Sequence, residues 1–149
     1  MLPSVDEVKS IVEQLLPGVN VIVDGGALRV EPKDLSAVCR CLKNTERFRL
    51  DYLANLTAVD YPPDRLELVY HLYSMSHKHG PVSLRICLDR AHPTVDSVTP
   101  IWRGAEFQER EVYDLFGVTF ANHPDLRRIL MWEGFEGYPM RKDYVVEDQ

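Results

Sequence analysis

The two runs LELVYHLYSM at 66–75 and VSLRICL at 82–88 constrain the fold of this chain more than any other feature. In each, apolar side chains recur at every second position: Leu66, Leu68, Tyr70 and Leu72 in the first, Val82, Leu84, Ile86 and Leu88 in the second. Only an extended chain puts such positions on one face, and strand-forming residues dominate both runs. The intervening stretch from His77 to Pro81 ends in Gly-Pro and reads as a hairpin turn. The two runs are therefore expected to pair antiparallel, with one face on a core and Val69, His71 and Tyr73 on the other.

Elements of a different period surround this hairpin. Ser4-Val5-Asp6-Glu7 has the form of a capping box, in which Ser4 and Glu7 satisfy each other's amides, and Val5, Val8, Ile11, Val12, Leu15 and Leu16 follow at helical spacing up to Pro17-Gly18. Val19, Val21 and Val23 alternate, Asp24-Gly25-Gly26 turns, and Leu28 and Val30 alternate again, which predicts a second hairpin. Asp34 is placed to cap an amphipathic helix reaching about Thr45. A mostly apolar segment follows at 50–59 and stops at Pro62-Pro63. A helix over 101–116 fits Ala105, Val112, Leu115 and Phe116, with Gly117 as a left-handed stop. The expected architecture is α+β: helices packed on one face of a mixed or antiparallel sheet, in a domain spanning 1–122. From 123 to 149 no period survives, and glycines, prolines, aromatics and arginines alternate. That composition suits a docking arm or an ordered tail folded back on its own domain.

Composition narrows the function classes. With 45% hydrophobic and 27% charged residues over 149 positions, the chain has the makings of a single globular core. A formal charge of −6 gives no support for a phosphate-tracking surface, so nucleic acid is not an expected partner. The longest stretches without a charged residue are 10 residues, for example 14–23, which excludes a spanning helix, and the N-terminus lacks the basic and apolar regions of a secretory signal. A cytosolic address is the expectation. Cys39 and Cys41 form a lone C-x-C with Cys87 far off, and Cys39 shares an apolar helix face with Leu35, Val38 and Leu42, so core packing accounts for it better than a cluster ligand. His77-Lys78-His79 reads as turn residues rather than a metal clip, and the common nucleotide, zinc-protease and serine-hydrolase motifs are absent.

The second half carries a specific resemblance. EREVYDLFGV at 109–118, Phe120 and HPDLRRILM at 123–131 closely resemble the signature of the respiratory complex I 30-kDa subunit family, as do LTAVDYP at 56–62, SVTPIW at 97–102 and FEGYPMRKDY at 135–144. The likeness covers about residues 50–144. It implies an α/β domain followed by an extended C-terminal segment lying on the 49-kDa (D-type) subunit, beside other peripheral-arm subunits. It also implies no flavin, iron-sulfur cluster or quinone pocket in this chain, with FMN and iron-sulfur clusters held by partner subunits. The whole assembly would carry electrons from NADH to quinone coupled to proton pumping. This chain would be a structural subunit on the cytoplasmic face of the bacterial inner membrane, with no catalytic, cofactor or metal residue of its own. The same likeness admits the equivalent subunit of a ferredoxin- or F420-dependent complex, or of a membrane-bound energy-converting hydrogenase.

On that footing the motif residues acquire expected roles. Glu109, Arg110, Glu111, Asp114, His123 and Pro124 form the structural part. Arg110 has Glu106 and Asp114 at i,i+4 reach and is expected to bridge them, while His123-Pro124 restricts the direction in which the chain leaves the domain. Arg127, Arg128, Ile129, Leu130, Tyr138, Arg141, Lys142 and Asp143 form the expected partner interface. The arginines would face carboxylates of a partner or of this domain, and the last three would close the interface or form a solvated cluster. A stand-alone enzyme using Glu109, Glu111, Asp114 and His123 is the remaining alternative, and helical spacing disfavours it because 109 and 111 point ~200° apart.

Overall fold

In the computed structural model, which describes residues 3–146, Ser4 starts the first helix as expected. Its Oγ accepts the Glu7 amide at 3.1 Å, and α1 runs Val5–Leu15 with Val8 and Val12 fully buried. The Glu7 carboxylate, however, turns to the Arg47 guanidinium at 2.9 Å. β1 (Ile22–Asp24) and β2 (Ala27–Val30) form the first hairpin, and Gly25 and Gly26 supply the two positive φ angles, 58° and 79°, that a tight turn of this hand requires. Asp34 does not cap the second helix through its side chain. A 3-10 turn at Pro32–Asp34 leads into α2 (Leu35–Asn44), whose Leu35, Val38, Cys39 and Leu42 are buried.

The segment after Leu50 is a strand, β3 (Tyr52–Tyr61), followed by β4 (Arg65–Ser74) and β5 (His79–Asp89). β4 and β5 pair antiparallel, with Leu68 opposite Ile86 and Tyr70 opposite Leu84. Sheet order is β1-β2-β5-β4-β3, with only the β2–β5 pair parallel, so the sheet is mixed. Leu28, Leu84, Tyr70 and Leu56 line up across four strands on the face that the helices cover, and all are buried. Each such leucine contributes roughly 1.5–3 kcal/mol by leaving water.

Two short strands escaped sequence reading, because three residues carry no period: β6 (Thr94–Asp96) and β7 (Thr119–Ala121), paired in parallel. Between them lies α3 (Ala105–Phe116), four residues shorter at its start than the periodicity suggests, because residues 98–102 form turns held by the Val98 carbonyl. Gly117 ends α3 in the left-handed region at φ 79°. The helix runs along β3, and the Gln108 side chain accepts from the Leu56 amide at 2.6 Å beside the irregularity between Leu53 and Asn55. That contact satisfies a backbone donor on an otherwise open sheet edge. From His123 to Val146 the described chain has neither helix nor strand and lies against α3 and the end of β3.

Candidate functional site

Three charged residues of α3 are out of water: Glu109, Arg110 and Asp114. The i,i+4 spacing suggested a solvated charged face with Arg110 bridging Glu106 and Asp114, and the structure corrects this. A buried charge needs partners of the right polarity close by. Here Arg110 and Asp114 are satisfied by residues 127–131 and Glu109 by residues 97–99. Arg110 donates to the backbone carbonyls of Arg127 and Arg128 at 3.1 and 3.2 Å. Glu109 accepts from Ser97 Oγ at 2.5 Å, Thr99 Oγ1 at 2.8 Å and the Val98 amide at 2.9 Å. Burial pushes the Glu109 carboxyl up from its ordinary range, with those donors and His123 pulling against it.

Asp114 organises the start of the C-terminal segment. Its Oδ2 accepts three consecutive amides, from Ile129 at 3.1 Å, Leu130 at 2.6 Å and Met131 at 2.8 Å, and its Oδ1 accepts from Arg128 at 2.9 Å. Burial alone would raise the Asp114 pKa, but the three amides and Arg128 outweigh it and hold the carboxyl below the usual range. With its amides turned inward on one oxygen, the loop carries Leu130 outward, 56% exposed. The Arg128 guanidinium continues to the Gly137 carbonyl at 2.8 Å and lies over the rings of Phe135 and Tyr138. The Tyr138 ring in turn rests on Gly117, where an added Cβ would meet it at 2.7 Å, so both φ and space require glycine there.

A second tether holds the far end. Asp60 accepts from Arg90 Nε at 2.6 Å and from the Lys142 amide at 2.8 Å, and Arg90 also reaches Asp143 at 3.2 Å. The Arg90 guanidinium, aided by the Lys142 amide, keeps the Asp60 carboxyl below its ordinary value despite burial. Arg141 donates to the Phe116 carbonyl at 2.6 Å, and the Met140 amide to that of Leu115 at 3.0 Å. Thus Arg128, Arg141 and Asp143 have their polar partners on this chain, and Lys142 uses its amide while the residue as a whole is exposed. Arg127 is exposed and paired with its neighbour Asp125, at 2.9 Å. Ile129 and Tyr138 are half-buried and Pro124 is exposed.

His123 turns its ring into the body with no side-chain exposure. Its Nε2 meets the Glu106 carbonyl at 3.0 Å and its Nδ1 accepts the Asp125 amide at 2.9 Å. Glu109 lies 3.9 Å from Nε2, whereas Glu111 is exposed and Asp114 is saturated by its own donors, so the four residues of the enzyme alternative do not converge. Among the described residues, no group of three or more His, Cys, Asp or Glu is placed to hold a metal ion, and no helix is long and apolar enough to cross a membrane.

Sequence reasoning gave no role to Asp60, Arg90, Ser97, Thr99 or Gln108. Asp60 had a usable signal: it shares strand parity with buried Leu56 and Ala58, and an acid on a core-facing row demands a cationic or amide partner. The rest are connected to their partners only through the fold.

Outward from these tethers, Leu130, Trp132 at 68% exposure, Met140, Val145 and Val146 stand in solvent. The Trp132 ring is braced edge-on against Phe135, 4.8 Å between centroids.

Comparison with known proteins agrees with the resemblance. Residues 28–149 match the family described as respiratory-chain NADH dehydrogenase, 30 Kd subunit. The C-type subunit of NADH-quinone oxidoreductase from Moorella thermoacetica (strain ATCC 39073 / JCM 9320) is 44% identical over 140 residues, covering 92% of this chain and 93% of its own length. The second C-type subunit of NADH-quinone oxidoreductase from Rhizobium meliloti (strain 1021) is 46% identical over 121 residues, covering 79% of this chain. The match spans only 65% of that relative and 62% of the one from Rhizobium etli (strain CIAT 652). Among solved structures, a trypsin-resistant fragment of Nqo5 superposes with TM-score 0.59 at 27% identity, over 81% of this chain and 98% of that one. A chain of the archaeal membrane-bound sulfane sulfur reductase shares the fold, with TM-score 0.72 at 24% identity over 94% of this chain and 85% of its own.

Proposed function

This chain belongs to the respiratory-chain NADH dehydrogenase 30-kDa subunit family, and on that premise we propose that it is a non-redox structural subunit of the peripheral arm of a proton-translocating NADH:quinone oxidoreductase. In this reading residues 123–149 form the segment that docks onto the 49-kDa-type subunit. FMN and iron-sulfur clusters reside in partner subunits, and the whole complex carries electrons from NADH to quinone. The chain sits on the cytoplasmic side of the membrane and is held there through the complex.

The observation that carries the docking role is the combination of exposed apolar side chains and intrachain anchoring at 128–135. Leu130 and Trp132 are large, apolar and in solvent, yet Asp114 pins the backbone beneath one and Phe135 braces the ring of the other. Binding loses less entropy when the anchors are already ordered, and tryptophan is among the residue types most enriched at the energetic centres of protein interfaces. The intrachain pairing of Arg128 and Arg141 supports this division of labour: polar groups shape the segment, and apolar ones are left for a partner.

Co-expression with the 49-kDa-type subunit of the same complex, followed by affinity capture, tests the reading. Full-length protein is expected to retain that partner and a chain ending at Asn122 to lose it. Equal retention by both would move the interface to the body, and a visible chromophore tightly bound to the purified chain would overturn the non-redox role.

A further inference from the structure

The corner where the C-terminal segment leaves the body turns on a single imidazole. A backbone amide can only donate, so the Asp125 amide at 2.9 Å requires His123 Nδ1 to be unprotonated. Nε2 then carries the one ring proton and donates it to the Glu106 carbonyl. Both ring nitrogens are therefore committed, in the neutral form, inside a site with no side-chain exposure. We propose that His123 is a proton-sensitive latch: a proton taken from solvent onto Nδ1 places two N–H groups face to face, expels the Asp125 amide and opens the corner from which the segment departs. Its bearing on docking rests on the function proposed above.

The charged surroundings are specific. From α3, Glu109 lies 3.9 Å from Nε2, beyond hydrogen-bond reach, while Glu106 presents its carbonyl and Arg110 lies one position further along. The loop at 97–99 contributes only donors already spent on Glu109. From the segment itself come Asp125 and Arg127, paired with each other at 2.9 Å. Imidazole changes charge between about pH 5 and 8. The tethers at Asp60 and Asp114 have carboxyls held below their usual range, so they stay ionised across that window and keep the rest of the segment in place. Opening is thus local to residues 123–125.

The test is an NMR titration of the full chain, following the His123 ring nitrogens and the hydrogen exchange of the Asp125 amide, corrected for intrinsic rate. Protection of that amide is expected to fall about ten-fold between about pH 7.5 and 5.5, in step with ring protonation. His123→Asn keeps an acceptor at the Nδ1 position without a titrating group, and should hold the amide protected across the range. His123→Gln keeps only the distal donor, and should leave the amide unprotected throughout. Because burial raises the Glu109 carboxyl above its ordinary range, Glu109→Gln completes the set and is expected to retain the pH dependence. A ring that stays neutral to pH ~5, an amide indifferent to ring protonation, or a dependence abolished by Glu109→Gln but not by His123→Asn would each overturn the latch. The wild-type ring titration decides the matter even if a variant fails to fold. None of these readouts involves a partner, so loss of the latch and loss of the docking role are separable.

Discussion

From Val8 to Phe120 the chain is held by side chains such as Leu35, Leu68, Tyr70 and Ile86 that are wholly out of water, whereas from His123 to Val146 no residue is buried as a whole. The second region is tied to carboxylates of the first, Asp114 gripping three backbone amides at one end and Asp60 gripping one at the other. Apolar burial is spread over many contacts and degrades gradually. A carboxylate tether concentrates the order of a whole loop on one group, and leaves the apolar side chains of that loop free to face outward.

Breaking the body should cost most. Leu68→Ala removes a fully buried side chain from the centre of the sheet and is expected to destabilise the whole fold by about 2–5 kcal/mol, seen as a lower midpoint of cooperative chemical unfolding. Asp114→Ala should cost roughly 2–4 kcal/mol, because it leaves three amides and a half-buried guanidinium without their acceptor. That loss should fall on the segment: exchange at Ile129, Leu130 and Met131 accelerates while β4 and β5 stay protected. If the sheet loosens equally, the two regions are one cooperative unit and the contrast fails.

Acid offers a milder probe. The folded-state carboxyls of Asp60 and Asp114 are depressed, so their contribution is complete above the unfolded value near ~3.9 and is lost as pH falls through the folded values. Glu109 has the opposite sign: its raised folded pKa means that its contribution is fullest in acid and declines as pH rises through that value. Hydrogen exchange down a pH series should therefore show the tethers at 129–131 and 142 surviving to about pH 4 and failing below it. Smallest of all, Leu130→Ala should change the stability of the isolated chain by no more than about 0.5 kcal/mol by thermal melting, since its side chain is already in water.

The same contrast explains what was legible beforehand. Period-two and helical spacing located α1, the β4–β5 hairpin and most of α3, because burial on one face writes itself into every second or every third to fourth residue. β6 and β7 are too short to show a period. Spacing on α3 even misled, since the i,i+4 pairs on paper gave way to separate buried anchors: Arg110 and Asp114 hold the segment, and Glu109 holds the loop at 97–99. The motif residues Glu109, Asp114 and His123 stood out through resemblance, while Asp60 and Arg90, separated by a whole hairpin, meet only in three dimensions.

Under the proposed function, the body shapes the segment while Leu130 and Trp132 hold the partner. Isothermal titration of the 49-kDa-type partner into the full chain and into a Leu130→Ala, Trp132→Ala variant tests it most directly. The variant is expected to keep a thermal midpoint close to wild type and to bind at least about a hundred-fold more weakly. Unchanged affinity in a variant that is folded would contradict it.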